Sequence, residues 1–330
     1  MTTPSLRDRT SPLPNQQAMI RISAIICTFK RPDYLRHALR SLCEQSLPYD
    51  QYEVIVVDNA VSVEAERVVK EFADGRINLR YVPEERVGLS RARNTGLKAA
   101  AAPYVAYMDD DARADSHWLE ALLGAFEQTS PAPAAVGGRV WLDWQGEKPA
   151  WVPERHLSLY TYVDHGAAAR ALANGEYLVG ANLAFDKEAL LSAGGFDANL
   201  GRQGSLLLSG EESAILEQLR AKNQGVYYEP AAFVWHSVDQ TRKRPTWLVR
   251  RLFWDGASQP LIDRPSEGFS RRSTSLIAYR DLRQCARWGF NILVAVLSGR
   301  RDSAFESLLG LSQRAGRLRT EVRLLAWNHD

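Results

Sequence analysis

The fold is decided by residues 22–58, which read ISAIICTFKRPDYLRHALRSLCEQSLPYDQYEVIVVD. A short apolar run, ISAIICT, comes first, and Pro32 then opens a segment whose leucines share one helical face. A second apolar run, EVIVV, follows and ends at Asp58. This order predicts a strand, a helix and a second strand, which is the repeating unit of a parallel sheet.

The same alternation continues to residue 111. It predicts an α/β fold, with a mainly parallel sheet covered by helices on both faces. In such sheets, ligands bind beyond the carboxyl ends of the strands. Polar residues stand at three of these predicted ends, at 28–31, 58–59 and 109–111. The sequence therefore places the candidate site at this edge of the sheet.

Bulk properties exclude several classes of protein. The chain has 330 residues, 45% of them hydrophobic and 24% charged, which is typical of a globular protein. Residues 1–19 lack the apolar segment of a secretory signal, and we predict a flexible tail there. Three cysteines without Cys-x-x-Cys spacing indicate neither a disulfide framework nor a zinc site, and they favour the cytoplasm.

Charge is distributed unevenly along the chain. Residues 242–330 contain 17 Lys and Arg against 8 Asp and Glu, and most of this segment has a helical pattern. Such a segment would suit peripheral contact with an anionic membrane surface, although packing against protein is the slightly favoured alternative. Amphipathic helices that pack on the catalytic domain or on a second subunit would produce the same pattern. We expect no nucleic-acid partner.

The triplet Asp109, Asp110 and Asp111 is the most informative motif. Adjacent carboxylates repel one another unless a cation or bound donors compensate. Mg²⁺ and Mn²⁺ suit such oxygen ligands and complete their shells with substrate phosphates. An acidic turn that caps the next helix is the simpler alternative for an isolated triplet. The position at a strand end favours a metal and a diphosphate.

Other strand-end residues have the chemistry of a nucleotide pocket. Asp58 can accept hydrogen bonds from a base edge or from ribose hydroxyls, although it can equally form a turn. Lys30, Arg31 and Arg93 would offset phosphate charge. Arg93 and Asn94 lie in GLSRARNTG, where small residues would let a helix start approach a nucleotide closely.

Four ordered motifs resemble the family 2 glycosyltransferases with a GT-A fold: CTFKRPDYL, VIVVDNA, GLSRARNTGL and YVAYMDDDA. VGANLAFDKEALLSAGGFD and SGEESAILEQLRAKNQGVYYEP resemble the family's acceptor-side segment and its acidic motif. The resemblance covers residues 22–236. It implies a GT-A domain over 20–240, with a nucleotide half at about 20–112, an acceptor half at about 113–240, and a basic helical C-terminal extension over 241–330.

The resemblance also implies roles for individual residues. The residues expected to bind the nucleotide are Thr28, Phe29, Lys30, Arg31, Asp58, Arg93, Asn94, Asp109 and Asp110. Asp111, Asp109 and His236 are expected to hold Mn²⁺ or Mg²⁺, with Asp111 in direct contact. A lone histidine such as His236 is nevertheless often structural.

The acidic motif departs from the family pattern. This chain has Glu211–Glu212 where the family usually has Glu-Asp, so Glu212 replaces the catalytic Asp and Glu211 is the competing base. Two acidic residues would also be favoured at a helix start by the helix dipole, with no catalytic role.

The implied activity is an inverting transfer from a nucleoside diphosphate sugar to a hydroxyl of a glycan or a lipid-linked acceptor. Family frequency favours UDP, the pathway would be polysaccharide or glycoconjugate biosynthesis, and a homo-oligomer is an option. A sugar nucleotidyltransferase is disfavoured, because CTFKRPD contains no glycine-rich phosphate loop. A non-catalytic nucleotide-sugar-binding protein is the alternative of another class, and the Glu-for-Asp change is its best support.

Overall fold

The computed structural model of the protein describes residues 19–73, 75–204, 206–263 and 271–327. The predicted tail therefore lies outside the described residues, except for Met19. The strands are β1 (Ile22–Thr28), β2 (Tyr52–Asp58), β3 (Asn78–Pro83), β4 (Tyr104–Asp109), β5 (Ala112–Ala114), β6 (Ala135–Asp143), β7 (Arg170–Ala171), β8 (Leu183–Asp186) and β9 (Val226–Ser237). The helices are α1 (Pro32–Cys43), α2 (Val63–Phe72), α3 (Leu89–Ala99), α4 (Trp118–Gln128), α5 (Lys187–Ser192), α6 (Glu211–Ala221), α7 (Pro245–Ile262), α8 (Arg271–Leu297) and α9 (Arg301–Trp327), with a 3₁₀ segment at Glu154–Tyr160.

The strands form one sheet in the order β3-β2-β1-β4-β8-β6-β9-β5, with β7 paired to β9. Strands β3, β2, β1 and β4 are parallel, whereas β8 runs antiparallel to both β4 and β6. The α/β fold with flanking helices and C-terminal helices confirms the predicted fold class.

The registers in the parallel half explain where the site lies. Thr28 pairs with Asp58, and Cys27 pairs with Asp109, so three strand ends meet at one edge. Strand β1 is almost completely buried because helices cover both of its faces. Helix α3 approaches the sheet closely at Gly96, where a Cβ would lie 2.6 Å from Cγ2 of Ile25.

The acceptor half is more regular than the sequence suggested. The sequence pattern becomes less regular from about residue 137 to residue 175, which predicts no strand there, yet β6 continues to Asp143. Short apolar runs at 226–228 and 233–235 predict two separate strands, but in the structure they belong to one strand, β9, which includes Pro230. A register shift against β6 accommodates this interruption. His236 therefore lies within β9, paired with Ala112 and Leu142.

The C-terminal helices form a layered unit in which α9 packs on both α7 and α8. Glycines allow α7 and α9 to cross closely, since a Cβ at Gly256 would lie 1.8 Å from the carbonyl oxygen of Gln313. An apolar cluster joins Tyr160 to Leu248 and Leu309. This cluster crosses the boundary expected at residue 240, which itself stays a prediction. Within the described ranges, no helix combines the length and apolar character needed to cross a membrane.

Candidate active site

A cleft of about 440 Å³ opens at the carboxyl ends of the parallel strands. The predicted site residues that line it are Thr28, Phe29, Arg31, Arg93, Asp109, Asp110, Asp111, Glu211 and Glu212. The cleft thus brings residues from both halves of the predicted GT-A domain together. Lys30, Asp58, Asn94 and His236 lie outside this lining.

Asp110, just after β4, is held by the last residue of β1 and by Arg31 beyond it. The hydroxyl of Thr28 donates a hydrogen bond of 2.8 Å to Oδ2 of Asp110, and Nη1 of Arg31 lies 3.3 Å from Oδ1. Burial and the neighbouring charge of Asp111 raise the pKa of Asp110 to about 7, although Arg31 opposes the shift. These contacts connect the polar ends of two adjacent strands.

Asp111 lies among three basic side chains. Its Oδ1 is 3.1 Å from Nε2 of His236, and its Oδ2 accepts hydrogen bonds of 3.0 Å from Arg31 and 2.6 Å from Arg242. Burial would raise the pKa of Asp111, but His236 and Arg242 outweigh it and hold the pKa well below its ordinary value. Asp111 is therefore a carboxylate in the folded protein.

Asp109, Asp111 and His236 form a group that can hold a metal ion. Their ligand atoms all lie within 4.8 Å of one another, and these are the three residues that the resemblance implied. The Nδ1 atom of His236 is buried without a hydrogen-bond partner among the described residues. Two carboxylates and one imidazole make a chemically suitable set for a divalent ion, with positions left for phosphate oxygens.

Arg93 connects the acidic motif to the aspartates. Its Nη1 lies 2.9 Å from Oε1 of both Glu211 and Glu212, and its Nη2 lies 3.5 Å from Oδ1 of Asp109. The guanidinium is 3% exposed, so these contacts are shielded from solvent. The resemblance implied that Arg93 binds the nucleotide, whereas this structure places it between the two groups of carboxylates.

Gly180 makes room for this arrangement. A Cβ at this position would lie 2.0 Å from Nη2 of Arg93 and 2.4 Å from Oε1 of Glu212. The backbone N–H of Gly180 also donates a hydrogen bond of 3.0 Å to that glutamate oxygen. A glycine here therefore lets the backbone itself orient Glu212.

The two glutamates differ in their surroundings. The Glu212 side chain is 16% exposed, whereas that of Glu211 is 4% exposed. Burial and the charge of Glu212 raise the pKa of Glu211 to about 7, although Arg93 opposes the shift. The Oε2 atom of Glu211 has no hydrogen-bond partner within the described ranges. Glu212 is consequently the more accessible of the two candidate bases.

Three residues expected to bind the nucleotide have other contacts here. The Asp58 carboxylate accepts hydrogen bonds from the backbone N–H groups of Ala60 and Ser62 and from the hydroxyl of Tyr81. The Asn94 side chain exchanges two hydrogen bonds with the backbone of residue 196. The exposed ammonium of Lys30 lies 5.4 Å from the ring centroid of Phe29. Asp58 and Asn94 thus shape loops around the cleft.

Sequence reasoning missed three arginines at the site, namely Arg202, Arg242 and Arg251. Arg242 binds Asp111, while Arg202 and Arg251 line the cleft. The Nη1 atom of Arg251 is buried and unpartnered within the described part of the chain. Burial lowers the pKa of both Arg202 and Arg251. None of the three follows a predicted strand end, so the pattern that exposed the other residues could not find them.

Helix α7 provides one wall of the cleft. The residues that it contributes are Arg251, Asp255, Gln259 and Ile262, which share one helical face. Gly210, just before the acidic motif, has a φ of 101°, and a Cβ there would lie 2.2 Å from Cδ1 of Ile262. The C-terminal extension is therefore part of the site.

The fold and the site together define a nucleotide-sugar transferase of the GT-A class. Residues 23–179 match the family described as Glycosyl transferase family 2. This match and the fold identify the chain as a glycosyltransferase, with residues 23–179 assigned to that family. Glycosyl transfer is thus favoured over the nucleotidyl transfer and the non-catalytic binding considered from sequence.

The chain is similar to several glycosyltransferases of microbial origin. It is 29% identical over 247 residues to the glucosyl-dolichyl phosphate glucuronosyltransferase of Haloferax volcanii, covering 74% of this chain and 78% of that protein. It is 28% identical to the succinoglycan biosynthesis protein ExoM of Rhizobium meliloti, covering 74% and 75%. The pre-mycofactocin glycosyltransferase of Mycobacterium tuberculosis is 32% identical, but the match spans 64% of this chain and only 42% of that protein.

A solved structure supports the fold. The mannosyltransferase PcManGT of Pyrobaculum calidifontis, determined with GDP-Man and Mn²⁺, superposes with a TM-score of 0.61 at 20% sequence identity. The match covers 94% of this chain and 88% of that chain, so it extends over the C-terminal helices as well. At this identity the likeness concerns the fold.

Proposed function

We propose that the protein transfers a sugar, with inversion of configuration, from a nucleoside diphosphate sugar to a hydroxyl of a glycan or a lipid-linked acceptor. The observation that carries the proposal is the link through Arg93. One guanidinium joins Glu211 and Glu212 to Asp109, so a candidate base faces a candidate metal site across one cleft. Single-displacement transfer requires this opposition of base and leaving group.

The donor side is formed by the ends of β1 and β4. Thr28, Phe29 and Arg31 line the cleft where we propose that the nucleotide binds. Asp109, Asp111 and His236 would hold the divalent ion, which would offset negative charge on the departing diphosphate. The imidazole favours Mn²⁺ over Mg²⁺, because Mg²⁺ prefers oxygen ligands alone. UDP remains our choice of nucleotide by family frequency.

Glu212 is the proposed base. Its side chain is more exposed than that of Glu211, and the N–H of Gly180 orients one of its oxygens. A carboxylate held in this way can remove the proton from an acceptor hydroxyl as that oxygen attacks the anomeric carbon. Glu211 then supports Arg93 from the buried side. The acceptor oxygen attacks the face of the sugar opposite the leaving group, so its new bond to the anomeric carbon forms as the bond to the nucleoside diphosphate oxygen breaks, and this single displacement inverts the anomeric centre.

Arg202 and Arg251 complete the charge of the cleft. Both guanidiniums are partly buried and form no ion pair among the described residues. A cation that is desolvated without a partner is costly in the ligand-free protein, and it binds an anion strongly for the same reason. We assign these two arginines to substrate phosphate groups. The assignment makes α7 part of the catalytic machinery.

We propose the acceptor class by analogy with the named relatives. One is named for a glucosyl-dolichyl phosphate acceptor and another for succinoglycan biosynthesis. We extend from these names to a lipid-linked or polysaccharide acceptor for this chain, and to a cytoplasmic enzyme in polysaccharide or glycoconjugate biosynthesis. Homo-oligomer formation remains a prediction.

Donor binding can be tested by thermal unfolding with UDP-, GDP- and dTDP-sugars, each with and without Mn²⁺. We expect one donor to raise the melting temperature in a Mn²⁺-dependent manner that EDTA reverses. Asp111→Asn should abolish the metal-dependent part of this shift, because it removes one ligand charge. The matched control is Asp50→Asn, an exposed aspartate ahead of β2. The absence of a shift with every donor would contradict the proposed function.

A further inference from the structure

The outer side of α8 carries a continuous apolar surface. We define the α8 apolar face as Leu276, Tyr279, Leu282, Phe290, Leu293 and Leu297. Each of these side chains is between 55% and 79% exposed. Their spacing of mostly three or four residues, bridged by Ala286, keeps them on one side of the helix. The face extends for about 30 Å along the helix axis.

The orientation of α8 is fixed by its opposite side. Ala278, Asp281 and Ala295 are buried, and Oδ1 of Asp281 accepts a hydrogen bond of 3.1 Å from Arg314 on α9. The ring of Trp288 packs against α9 at Gly310, where a Cβ would lie 2.8 Å from Cε2 of the indole. The apolar face therefore points away from α9 because inner contacts hold the helix in place.

Arginines accompany this face. Arg280, Arg283 and Arg287 lie along one flank, and Arg300 and Arg301 follow the end of the helix. All five are exposed, and none forms an ion pair within the described ranges. Asp281 is the sole acidic residue in the sequence of α8, and it is buried. Along α8 itself, the exposed arginines therefore accompany apolar side chains, and no exposed acidic residue of this helix neutralises them.

This charge pattern indicates which kind of partner binds the α8 apolar face. A second copy of α8 would bring like charges together without any exposed acid on either helix to compensate, which disfavours self-association. An anionic lipid surface supplies both the negative headgroups and the apolar layer that such a helix needs. The arginine side chains are long enough to reach headgroups while their stems remain against the apolar layer.

We propose that the α8 apolar face binds the surface of a membrane containing anionic lipids, with α8 lying parallel to the membrane plane. Helix α9 covers the inner side of α8, so only the outer side meets lipid. The general expectation of membrane contact from the basic extension thereby becomes a specific surface. Arg251 also belongs to the extension, but it lines the cleft and takes no part in the proposed membrane contact.

The proposal is tested by flotation of the full chain with two kinds of vesicle, phosphatidylcholine alone and phosphatidylcholine mixed with phosphatidylglycerol. We expect binding to the anionic vesicles that added salt weakens. Phe290→Glu with Leu293→Glu should lower the affinity by about tenfold or more, because it places two charges in the apolar layer. Arg283→Gln with Arg287→Gln should lower it by about tenfold at low salt.

The matched control is Val63→Glu with Leu191→Glu, which adds the same charges at exposed apolar positions in the catalytic domain. Its vesicle binding should equal that of the wild type. Equal binding of the wild type to neutral and anionic vesicles would overturn the proposal, as would an equal loss in the control. A dimer in light scattering that Phe290→Glu with Leu293→Glu dissociates, without vesicle binding, would overturn it in favour of self-association.

Membrane binding does not depend on the proposed catalytic function. The variants on α8 leave every cleft residue in place, so a donor-induced rise in melting temperature should persist in all of them. Loss of vesicle binding with retained donor binding therefore supports the α8 face by itself. Vesicle binding without any donor response would instead contradict the proposed sugar transfer.

Discussion

Two buried clusters of carboxylates and arginines differ in what surrounds them. The cleft cluster consists of Arg93, Asp109, Glu211 and Glu212. The bundle cluster consists of Asp281, Arg314, Arg317 and Glu321, between α8 and α9. In both, burial and a neighbouring carboxylate raise the pKa of one glutamate to about 7, Glu211 in the first and Glu321 in the second. A raised pKa therefore does not by itself identify the active site.

The surroundings distinguish the clusters. In the bundle cluster, Arg317 lies 3.2 Å from Asp281 and 3.1 Å from Glu321, and the side chains come from two packed helices. In the cleft cluster, the side chains come from a helix, a strand end and a second helix start, and a backbone N–H at Gly180 binds one carboxylate. The cleft cluster opens to a cavity beside candidate metal ligands. Access to substrate is what separates catalysis from structure here.

The largest difference should appear when one glutamate in each cluster is neutralised. Glu212→Gln should lower sugar transfer by about a thousandfold, because the amide cannot accept the acceptor proton. Glu321→Gln should leave the transfer rate unchanged, since its cluster lies outside the cleft. The measurement is initial rate with the identified donor, with melting temperatures to confirm folding.

Two further glutamate variants accompany this experiment, one as a control and one to test the competing base. Glu217→Gln lies on the exposed side of the same helix, α6, and should retain full activity. Glu211→Gln should have a smaller effect than Glu212→Gln if Glu211 supports Arg93. Full activity in both Glu211→Gln and Glu212→Gln would show that neither residue is the base.

A second substitution disturbs the cleft cluster without removing a charge. Gly180→Ala places a methyl group 2.0 Å from Nη2 of Arg93 and 2.4 Å from Oε1 of Glu212. Both contacts are with ends of flexible side chains, so the protein should fold while these groups move. A displacement of this size should lower the transfer rate by about a hundredfold.

The matched control for this glycine is Gly124→Ala on α4, whose Cβ would meet only Gln128, at 3.6 Å. It should match the wild type in rate, and its stability should be equal or higher by up to about 1 kcal/mol, because alanine replaces a glycine inside a helix. If Gly180→Ala also matches the wild type, the orientation of Glu212 by this backbone is not required for catalysis.

The parallel half of the fold could be predicted because its signals are local. The runs at β1, β2 and β4 are continuously apolar, and each ends in a polar residue, so the edge that carries Thr28, Asp58 and Asp109 followed from the pattern. Strand β9 was harder, since Pro230 interrupts its apolar pattern and only the register shift against β6 keeps it continuous. Pairing between distant segments decides such a case.

The candidate site divides in the same way. Asp109, Asp111 and His236 were grouped through a family resemblance, and the structure brings them together. Arg242 and Arg251 could not be found from local pattern, because a lone arginine in a basic helical segment is usually solvated. Only the packing of α7 across the cleft reveals Arg251. Residues whose role depends on how two distant segments meet carry no signal in their own neighbourhood.

Substitution of one arginine in the cleft and one in the bundle cluster tests the same difference between the two regions. Arg251→Gln in the cleft should lower the transfer rate by about tenfold, because Arg202 would still bind the substrate phosphates. It should not lower the free energy of unfolding, because the Nη1 atom that it removes has no partner among the described residues. Arg314→Gln in the bundle should show the opposite result: full activity and a loss of about 1 to 2 kcal/mol of stability.

The measurements are initial rates and chemical unfolding of the ligand-free protein. The expected loss of stability in Arg314→Gln is limited by solvent screening, because the Arg314 side chain is 34% exposed, although that of Asp281 is fully buried. A loss of stability in Arg251→Gln as large as that in Arg314→Gln would mean that the cleft arginine has a structural role. The assignment of Arg251 to substrate phosphate would then be wrong.

The smallest expected effect is a pH dependence of stability in the bundle cluster. The pKa of Glu321 is raised to about 7 in the folded protein by burial and by Asp281, whereas an unfolded glutamate has a pKa near 4.5. The folded state therefore keeps this proton at higher pH. The associated stability is complete below about pH 4.5 and is lost as the pH rises through about 7. Glu321→Gln cannot titrate, so its stability relative to the wild type should rise between pH 5 and pH 8. The full difference in pKa corresponds to about 2.5 kcal/mol over this pH range, and solvent screening reduces the expected rise to about 1 kcal/mol. Chemical unfolding at both pH values measures this difference, and comparing the two removes the pH-independent cost of altering the contact with Arg317.

Glu188→Gln, on the exposed surface of α5, is the control. If the stability of Glu321→Gln relative to the wild type stays constant with pH, ionisation of Glu321 does not destabilise the bundle cluster. The two clusters would then resemble each other only in their composition.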